Sequence, residues 1–356
     1  MDKIPAVLAG LLPAELEKLL LPLPRMRAVQ IYKWIARGIS DFDQMTDLPS
    51  SLREELKSRF RLYSSTVDNC YKDTSSASCA EKIAVSLKDG KKIEAVLLRD
   101  GKSRFTACLS TQVGCPAGCI FCKTGSLGFS RNLTANEITE QFLFLRMTAL
   151  KEANGKKEHS IDNIVIMGMG EPLLNLDELR KAIAVFTDPA GMNFSRRRIT
   201  VSTCGICEGL SDIADNGPYV RLALSLVTAD EPLRQKLMPV SAVNSLAKIK
   251  ETLAVFQRNG GGRITLELPL LGGINTREKD AVSAAQFAKG IETVVNIIPW
   301  NPADGLEFEG KPLREPEKKE TENFIKLLES YGLKVTMRRR KGREVMGACG
   351  QLGVIG

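Results

Sequence analysis

The sequence predicts an α/β protein: a partial parallel (β/α) barrel preceded by a small N-terminal helical domain and a β-hairpin extension. Three observations carry that prediction. From about residue 104 onward, short apolar segments of strand length alternate with amphipathic helical stretches six times or more, the rhythm that builds a parallel sheet. Polar or glycine-rich clusters follow the successive strands, where a parallel barrel gathers its functional loops. Before residue 63, apolar residues recur instead at helical spacing.

Taken in order, residues 1–62 form the helical accessory domain, with helices near 14–20, 26–35 and 52–60. Pro22, Pro24, Gly38 and Pro49 separate them. The middle helix mixes Arg25, Arg27 and Lys33 with Tyr32 and Trp34; it is either an amphipathic helix with a basic solvent face or an RNA contact. Residues 63–103 read as a Ser/Thr-rich linker to about residue 80, then a hairpin. Alternating segments at 83–87 and 93–98 flank Asp89-Gly90, a type I′ turn signal. Residues 104–340 hold the barrel, with strands at 105–109, 164–167, 199–201, 220–226, 264–268 and 294–298, and 333–337 last. Helices at 137–146, 175–185 and 245–257 lie between them, and Thr134 with Glu137 makes a capping-box pattern. Residues 341–356 form a tail around Cys349 that Gly342, Gly347, Gly350 and Gly353 make pliable.

A chain of 356 residues is long enough for one large domain and a smaller accessory region. It holds no uninterrupted apolar run of the ~18–20 residues needed to span a bilayer. Its first residues lack a basic region followed by an apolar one. A cytoplasmic protein with no membrane partner is expected. The net charge of +8 favours an anionic partner, nucleic acid first. Nine cysteines in such a protein point to metal, cluster or redox chemistry rather than a disulfide framework. The single histidine, His159, lies in a polar stretch and reads as a solvated loop residue. A Ser-His-Asp hydrolase, a multi-histidine zinc site and a zinc deaminase all need more than that.

The segment Cys115-Pro-Ala-Gly-Cys119-Ile-Phe-Cys122 offers three thiolates at C-x3-C-x2-C spacing, suited to three corners of a [4Fe-4S] cube. The fourth iron is left free for the amino and carboxylate groups of S-adenosylmethionine (SAM), and Phe121 supplies an apolar wall. A zinc site would need a fourth ligand close by, and only Cys108, seven residues upstream, offers one. Gly168-Met-Gly170-Glu171-Pro172, taken alone, reads as a strand-to-helix turn.

The cysteine segment resembles the radical SAM signature, and its surroundings narrow the family. Gln112-Val113-Gly114-Cys115, Gly128-Phe-Ser-Arg-Asn-Leu133, Met167-Gly-Met-Gly-Glu-Pro172, Lys236-Leu-Met-Pro-Val240, Ile298-Pro-Trp-Asn301-Pro302 and Ala348-Cys349-Gly-Gln-Leu352 together resemble the radical SAM RNA adenine methyltransferases of the RlmN and Cfr type. The matches run in order from about residue 90 to the C-terminus, and the N-terminal helices resemble that family's accessory domain more loosely. The resemblance implies a barrel of radical SAM type, with a [4Fe-4S] cluster on Cys115, Cys119 and Cys122. It implies SAM contacts at Gly170, Glu171, Ser202, Ser225, Leu226, Val227 and Asn301. It implies methylation of an adenine ring carbon, C2 before C8, in RNA: 23S rRNA and also tRNA. Two SAM molecules per turnover and an electron donor such as flavodoxin or ferredoxin follow from the same likeness.

Adenine C2 and C8 are electron-poor sp2 carbons without a lone pair to attack a sulfonium methyl, so a radical route is required. In the resembled family the methyl is first placed on the residue matched by Cys349. A 5′-deoxyadenosyl radical takes a hydrogen from it, and the resulting carbon radical joins the adenine. The cysteine matched by Cys108 then attacks the Cys349 sulfur, releasing methylated RNA and leaving a disulfide. Glu94 matches the base that removes the ring proton, with an exposed strand glutamate as the alternative reading. Arg338, Arg339, Arg340, Lys341 and Arg343 would follow an RNA backbone or form a solvated charge run.

The chain also departs from the family pattern. Val227 stands where a histidine is common, so a contact there would come through the backbone. Cys204 replaces a serine, with Cys207 at C-x2-C spacing; the pair reads as buried and inert, with a second redox or metal site as the alternative. Cys70 and Cys79 have no assigned role. Two other functions fit the bare sequence. A radical SAM enzyme on a non-RNA substrate would tolerate loss of Cys108 and Cys349, and a non-catalytic iron–sulfur RNA-binding protein would never cleave SAM.

Overall fold

The computed structural model describes residues 5–73, 80–100, 104–152, 161–338 and 342–353. His159, Cys79, Arg339, Arg340 and Lys341 lie outside the described residues.

One ten-stranded sheet organises the molecule. Its strands are β1 (Thr66–Lys72), β2 (Ala80–Ser86), β3 (Lys92–Asp100), β4 (Arg104–Leu109), β5 (Ile161–Ile166), β6 (Ile199–Thr203), β7 (Arg221–Ser225), β8 (Ile264–Leu270), β9 (Thr293–Pro299) and β10 (Val335–Met337). The first four form an antiparallel meander. From β4 onward all pairings are parallel and follow chain order. β1 and β10 are the free edges, yet Leu98 and Asp100 of β3 line the same cavity as Met337 of β10. The sheet therefore curls into an incomplete barrel around a lumen.

Alternation along the parallel strands explains the lumen. In β4, Phe105, Ala107 and Leu109 are buried against the outer helices, while Arg104, Thr106 and Cys108 face the cavity. In β6, Ile199 and Val201 are buried, and Thr200 and Ser202 face inward. A parallel sheet covered on both faces reads as a nearly continuous apolar run. These strands instead alternate with period 2 because one face looks onto a polar interior.

The N-terminal region folds as α1 (Pro13–Leu19), α2 (Arg25–Arg37) and α3 (Ser50–Arg59). Gly38 ends α2 in the left-handed region (φ +80°), and Pro49 precedes α3. On α2, Ile31, Tyr32 and Ile35 are buried, and Arg25 and Lys33 are exposed. The region seats on the first barrel helix, α4 (Ala135–Glu152). Arg146 Nη1 donates to the Ala36 carbonyl at 2.8 Å, and Glu140 Oε1 and Oε2 accept from the Ser64 and Ser65 N–H groups at 2.7 and 2.9 Å. The expected capping box is formed: Glu137 N–H donates to Thr134 Oγ1 at 3.3 Å and Thr134 N–H to Glu137 Oε2 at 2.9 Å.

Two local expectations are corrected. The stretch read as a linker contains β1, an edge strand exposed along nearly its whole length; without a buried face it has no apolar alternation to betray it. The β2–β3 hairpin closes through Lys88-Asp89-Gly90, not a two-residue type I′ turn. Gly90 N–H bonds Leu87 O at 2.9 Å, Leu87 N–H bonds Lys91 O at 2.8 Å, and only Gly90 has positive φ (+79°), as in a three-residue loop with a glycine bulge.

Candidate active site

The cysteine loop leaves the C-terminal end of β4 and is held by four separate parts of the fold. Cys115 N–H bonds Gly128 O at 2.8 Å. Ile120 N–H bonds Leu237 O at 3.0 Å at the end of a helix, and Lys123 N–H bonds Gly350 O at 2.8 Å in the C-terminal tail. Trp300 Nε1 donates to Phe121 O at 2.9 Å. Gly114 has φ +77°, and a Cβ there would sit 1.9 Å from the Gly128 carbonyl oxygen. Only glycine closes that turn.

Inside the loop lies a cavity of ≈ 160 Å³ at the strands' C-terminal ends. Cys115, Cys119, Cys122 and Phe121 line it with Gly170, Glu171, Ser202, Ser225, Asn301 and Cys349. Segments spread over more than 200 residues of sequence thus converge as a barrel's strand ends should. Burial pushes the thiols up, Cys115 to about 12 and Cys119 well above its ordinary value. Sulfurs kept out of water in this way become thiolates only with a positive centre beside them. Among the described residues no three His, Cys, Asp or Glu side chains converge closely enough to grip a single metal ion; the three thiols stand around a shared space instead.

The remaining cofactor candidates divide. Gly170 (φ +106°) passes so close to Gln112 that a Cβ would lie 2.6 Å from the Gln112 Cβ. Glu171 is buried and accepts from Leu173 N–H (3.0 Å), Thr203 Oγ1 (2.7 Å) and Cys204 N–H (2.8 Å). Burial raises its pKa against the pull of those bonds. Its carboxylate therefore already ties the loop after β5 to the end of β6. Ser202 Oγ donates to Glu267 Oε2 at 3.0 Å and lies 3.3 Å from Ser225 Oγ, forming a polar row across β6, β7 and β8. Asn301 Nδ2 donates to Cys349 O at 3.1 Å, while its buried Oδ1 has no partner. Three thiols around a cavity, a glycine at the wall and an orphaned acceptor fit a cluster with a polar cofactor beside it.

Leu226 and Val227 are not brought to this cavity. Both side chains are buried elsewhere, and the Val227 backbone is engaged on both sides: N–H to Glu267 O at 3.2 Å, C=O from Asn275 Nδ2 at 2.8 Å. Val227 has φ +63°, an unusual state for a β-branched residue, because the chain reverses as it leaves β7. Cys204 does line the cavity and is buried. Cys207 is half-buried, its N–H bonded to Asn244 Oδ1 at 2.7 Å.

A second cavity, ≈ 1020 Å³, opens toward the strands' N-terminal ends. Arg104, Arg197, Arg198, Arg221 and Arg338 line it. Cys349, Asn301, Met167 and Ile298 line both cavities, and Cys108 lines the larger one. Burial pushes Cys108 up to about 12; the Cys349 sulfur adds to this and the Arg338 guanidinium opposes it. Arg338 in turn holds its proton more tightly, chiefly because of Cys349. Both cysteines are free thiols.

Glu94 is not at either cavity. It is 1% exposed and its Oε1 accepts from the equally buried Lys82 Nζ at 2.8 Å, while Oε2 accepts from Gly353 N–H at 2.9 Å. The tail expected to be pliable is docked in this structure. Besides the Gly350, Cys349 and Gly353 bonds above, Thr124 Oγ1 donates to Leu352 O and Gln351 Nε2 to Pro302 O at 2.7 Å.

Sequence reasoning missed Glu267, Lys82 and most of the arginine lining. Glu267 left a signal, a lone carboxylate in the apolar strand Ile-Thr-Leu-Glu-Leu-Pro-Leu. Arg104, Arg198 and Arg221 left none, since they sit at starts of strands nearly 120 residues apart that only the fold unites.

Comparison with known proteins agrees with this geometry. Residues 109–285 match the radical SAM superfamily, and residues 8–62 match the ribosomal RNA large subunit methyltransferase N-terminal domain. A probable dual-specificity RNA methyltransferase RlmN from Treponema denticola is 46% identical over 353 residues, 99% of this chain and 97% of its own. The protein of the same description from Treponema pallidum is 45% identical over 346 residues, 97% of each chain. A crystal structure of a radical SAM methyltransferase from Sphaerobacter thermophilus matches with a TM-score of 0.89 at 35% identity, covering 98% of this chain and 99% of that one. A cysteine loop over a curled parallel sheet, in a chain this similar to them from end to end, belongs to the RlmN family of radical SAM RNA methyltransferases.

Proposed function

We propose that this protein methylates an adenine ring carbon in RNA, C2 in preference to C8, through a methyl group carried on Cys349 and a transient covalent bond between protein and RNA. The 23S rRNA is its main substrate and tRNA a second one. The supporting observation is that Cys349 borders both the cysteine-ringed cavity and the arginine-lined one, with Cys108 on the larger. A residue on that common wall can receive a group on one side and deliver it on the other.

A [4Fe-4S] cluster on Cys115, Cys119 and Cys122, with SAM, supplies the methyl group and the initiating radical when bound, at two SAM molecules per turnover. SAM is held by Gly170, by Ser202 and Ser225 through the row they share with Glu267, and by the free acceptor of Asn301. Glu171 shapes the loop that presents Gly170. The arginines receive the RNA backbone, and the helical region at residues 1–62 adds a second contact to it. Cys349 Sγ carries the carbon that becomes bonded to adenine. Glu94 takes the ring proton once the tail lets go of its Oε2, and the adduct gives up its one unpaired electron to the acceptor that the oxidised cluster on Cys115, Cys119 and Cys122 would supply. The Cys108 thiolate then attacks the Cys349 sulfur. The sulfur–carbon bond breaks, the carbon leaves with the electron pair and is protonated, and the two sulfurs end as a disulfide that is reduced before the next turnover. A flavodoxin or ferredoxin supplies the electron, and the work is done in the cytoplasm. No described helix is long and apolar enough to cross a membrane.

The test is anaerobic reconstitution with iron, sulfide, SAM, reductant and rRNA or tRNA fragments, followed by nuclease digestion and mass spectrometry. 2-Methyladenosine is the expected product. 8-Methyladenosine would reverse the ring carbon, and SAM cleavage without methyladenine would move the activity off RNA.

A further inference from the structure

We propose that Arg234 is the buried counter-charge that governs how readily a cluster on Cys115, Cys119 and Cys122 accepts an electron. Arg234 sits on the helix Glu231–Leu237 and is 0% exposed. Its Nη2 donates to Cys204 O at 2.6 Å and its Nε to Leu226 O at 3.2 Å, whereas Nη1 is buried without a partner. Its hydrogen bonds go to carbonyls alone, with the Glu231 carboxylate acting from the previous turn of the same helix. A guanidinium so held is costly to bury unless further negative charge arrives beside it.

The surroundings supply the place for that charge. The same helix accepts the Ile120 N–H on its last carbonyl, Leu237 O, so it braces the loop next to Cys119. Cys204, whose carbonyl Arg234 grips, lines the cavity that the three cysteines ring. Three thiolates bring negative charge into this wall, where the buried Glu171 already stands. Reduction by one electron adds a further negative charge. Net charge and hydrogen bonding near the sulfurs set a cluster's potential, and a fixed cation in a low-dielectric wall favours the reduced form.

The inference rests on the radical SAM reading, and its test separates the two. Wild type, Arg234→Gln and Arg234→Lys would be reconstituted and titrated with reductant under electron paramagnetic resonance, without SAM or RNA. The reduced-cluster signal should emerge at a more negative potential in Arg234→Gln and stay near the wild-type value in Arg234→Lys, which keeps the charge. An unchanged potential in Arg234→Gln overturns the proposal. So does an equally negative shift in Arg234→Lys, which would assign the effect to the lost carbonyl bonds. Should Arg234→Gln not fold, Arg234→Met, which also removes the charge, is titrated in its place: a more negative potential is expected and an unchanged one overturns the proposal. A wild-type protein that takes up no cluster would remove the reading and the inference together.

Discussion

The two ends of the lumen are built from the same strands to opposite purposes. At the C-terminal end the strands give way to loops, and sulfur, glycine and short hydroxyl side chains share the wall with apolar ones such as Phe121, Met238 and Trp300 around ≈ 160 Å³. Toward the N-terminal end the strands share the wall with the turn before β6 and the C-terminal tail, and arginines line ≈ 1020 Å³. The narrow end suits a compact cofactor that must be kept from water. The wide end suits a large polyanion whose backbone stays hydrated while one base reaches inward. Cys349 stands where the two meet, on a segment that is neither strand nor helix, and so belongs to neither rigid wall.

That contrast can be broken at either end. The largest effect is expected from Cys119→Ala. It should abolish iron uptake and SAM cleavage while leaving RNA affinity within about twofold, because the arginine wall does not depend on the loop's thiols; iron analysis and fluorescence anisotropy check the two halves. Lys82→Met should destabilise the fold by about 3–5 kcal/mol in urea unfolding, since it strands Glu94 as a buried charge. Arg198→Gln or Arg221→Gln should weaken RNA binding and lower the slope of log K against log salt by ~1 each, with SAM binding unchanged. Ser202→Ala removes one hydrogen bond to Glu267 and should weaken SAM binding by about 0.5–1.5 kcal/mol, measured by calorimetry.

The cysteine pair sharpens the comparison through pH. With its thiol raised to about 12, Cys108 is protonated through the neutral range, and its thiolate fraction grows about tenfold per pH unit below that value. Release of methylated RNA from Cys349 should therefore accelerate from pH 7 to pH 9 in a single-turnover experiment. A rate flat across that range would mean that Cys108 is already ionised when it attacks.

How much of this was legible in the sequence depended on whether the signal was local. Cys115, Cys119 and Cys122 lie in one short segment, so their spacing announced a cluster before any fold was known. The barrel strands were readable from their apolar cores, although β1 hid because an exposed edge strand has no pattern. The Ser225–Val227 segment misled at its end: Ser225 reaches the cavity, but the reversal after β7 turns Leu226 and Val227 away. The glycines of the tail suggested mobility, whereas Gly342 (φ +72°) and Gly350 (φ +83°) serve left-handed turns within a docked segment. Glu94 was singled out by likeness, and its partners Lys82 and Gly353 are visible only in three dimensions.

One mass measurement bears on the whole scheme. Cys108→Ala, reconstituted and incubated with SAM, reductant and an RNA fragment, should accumulate protein heavier by the RNA plus one carbon unit, with the bond mapping to Cys349 after digestion. The same variant releasing methylated RNA at the wild-type rate, with no adduct, would contradict a carrier at Cys349 resolved by Cys108.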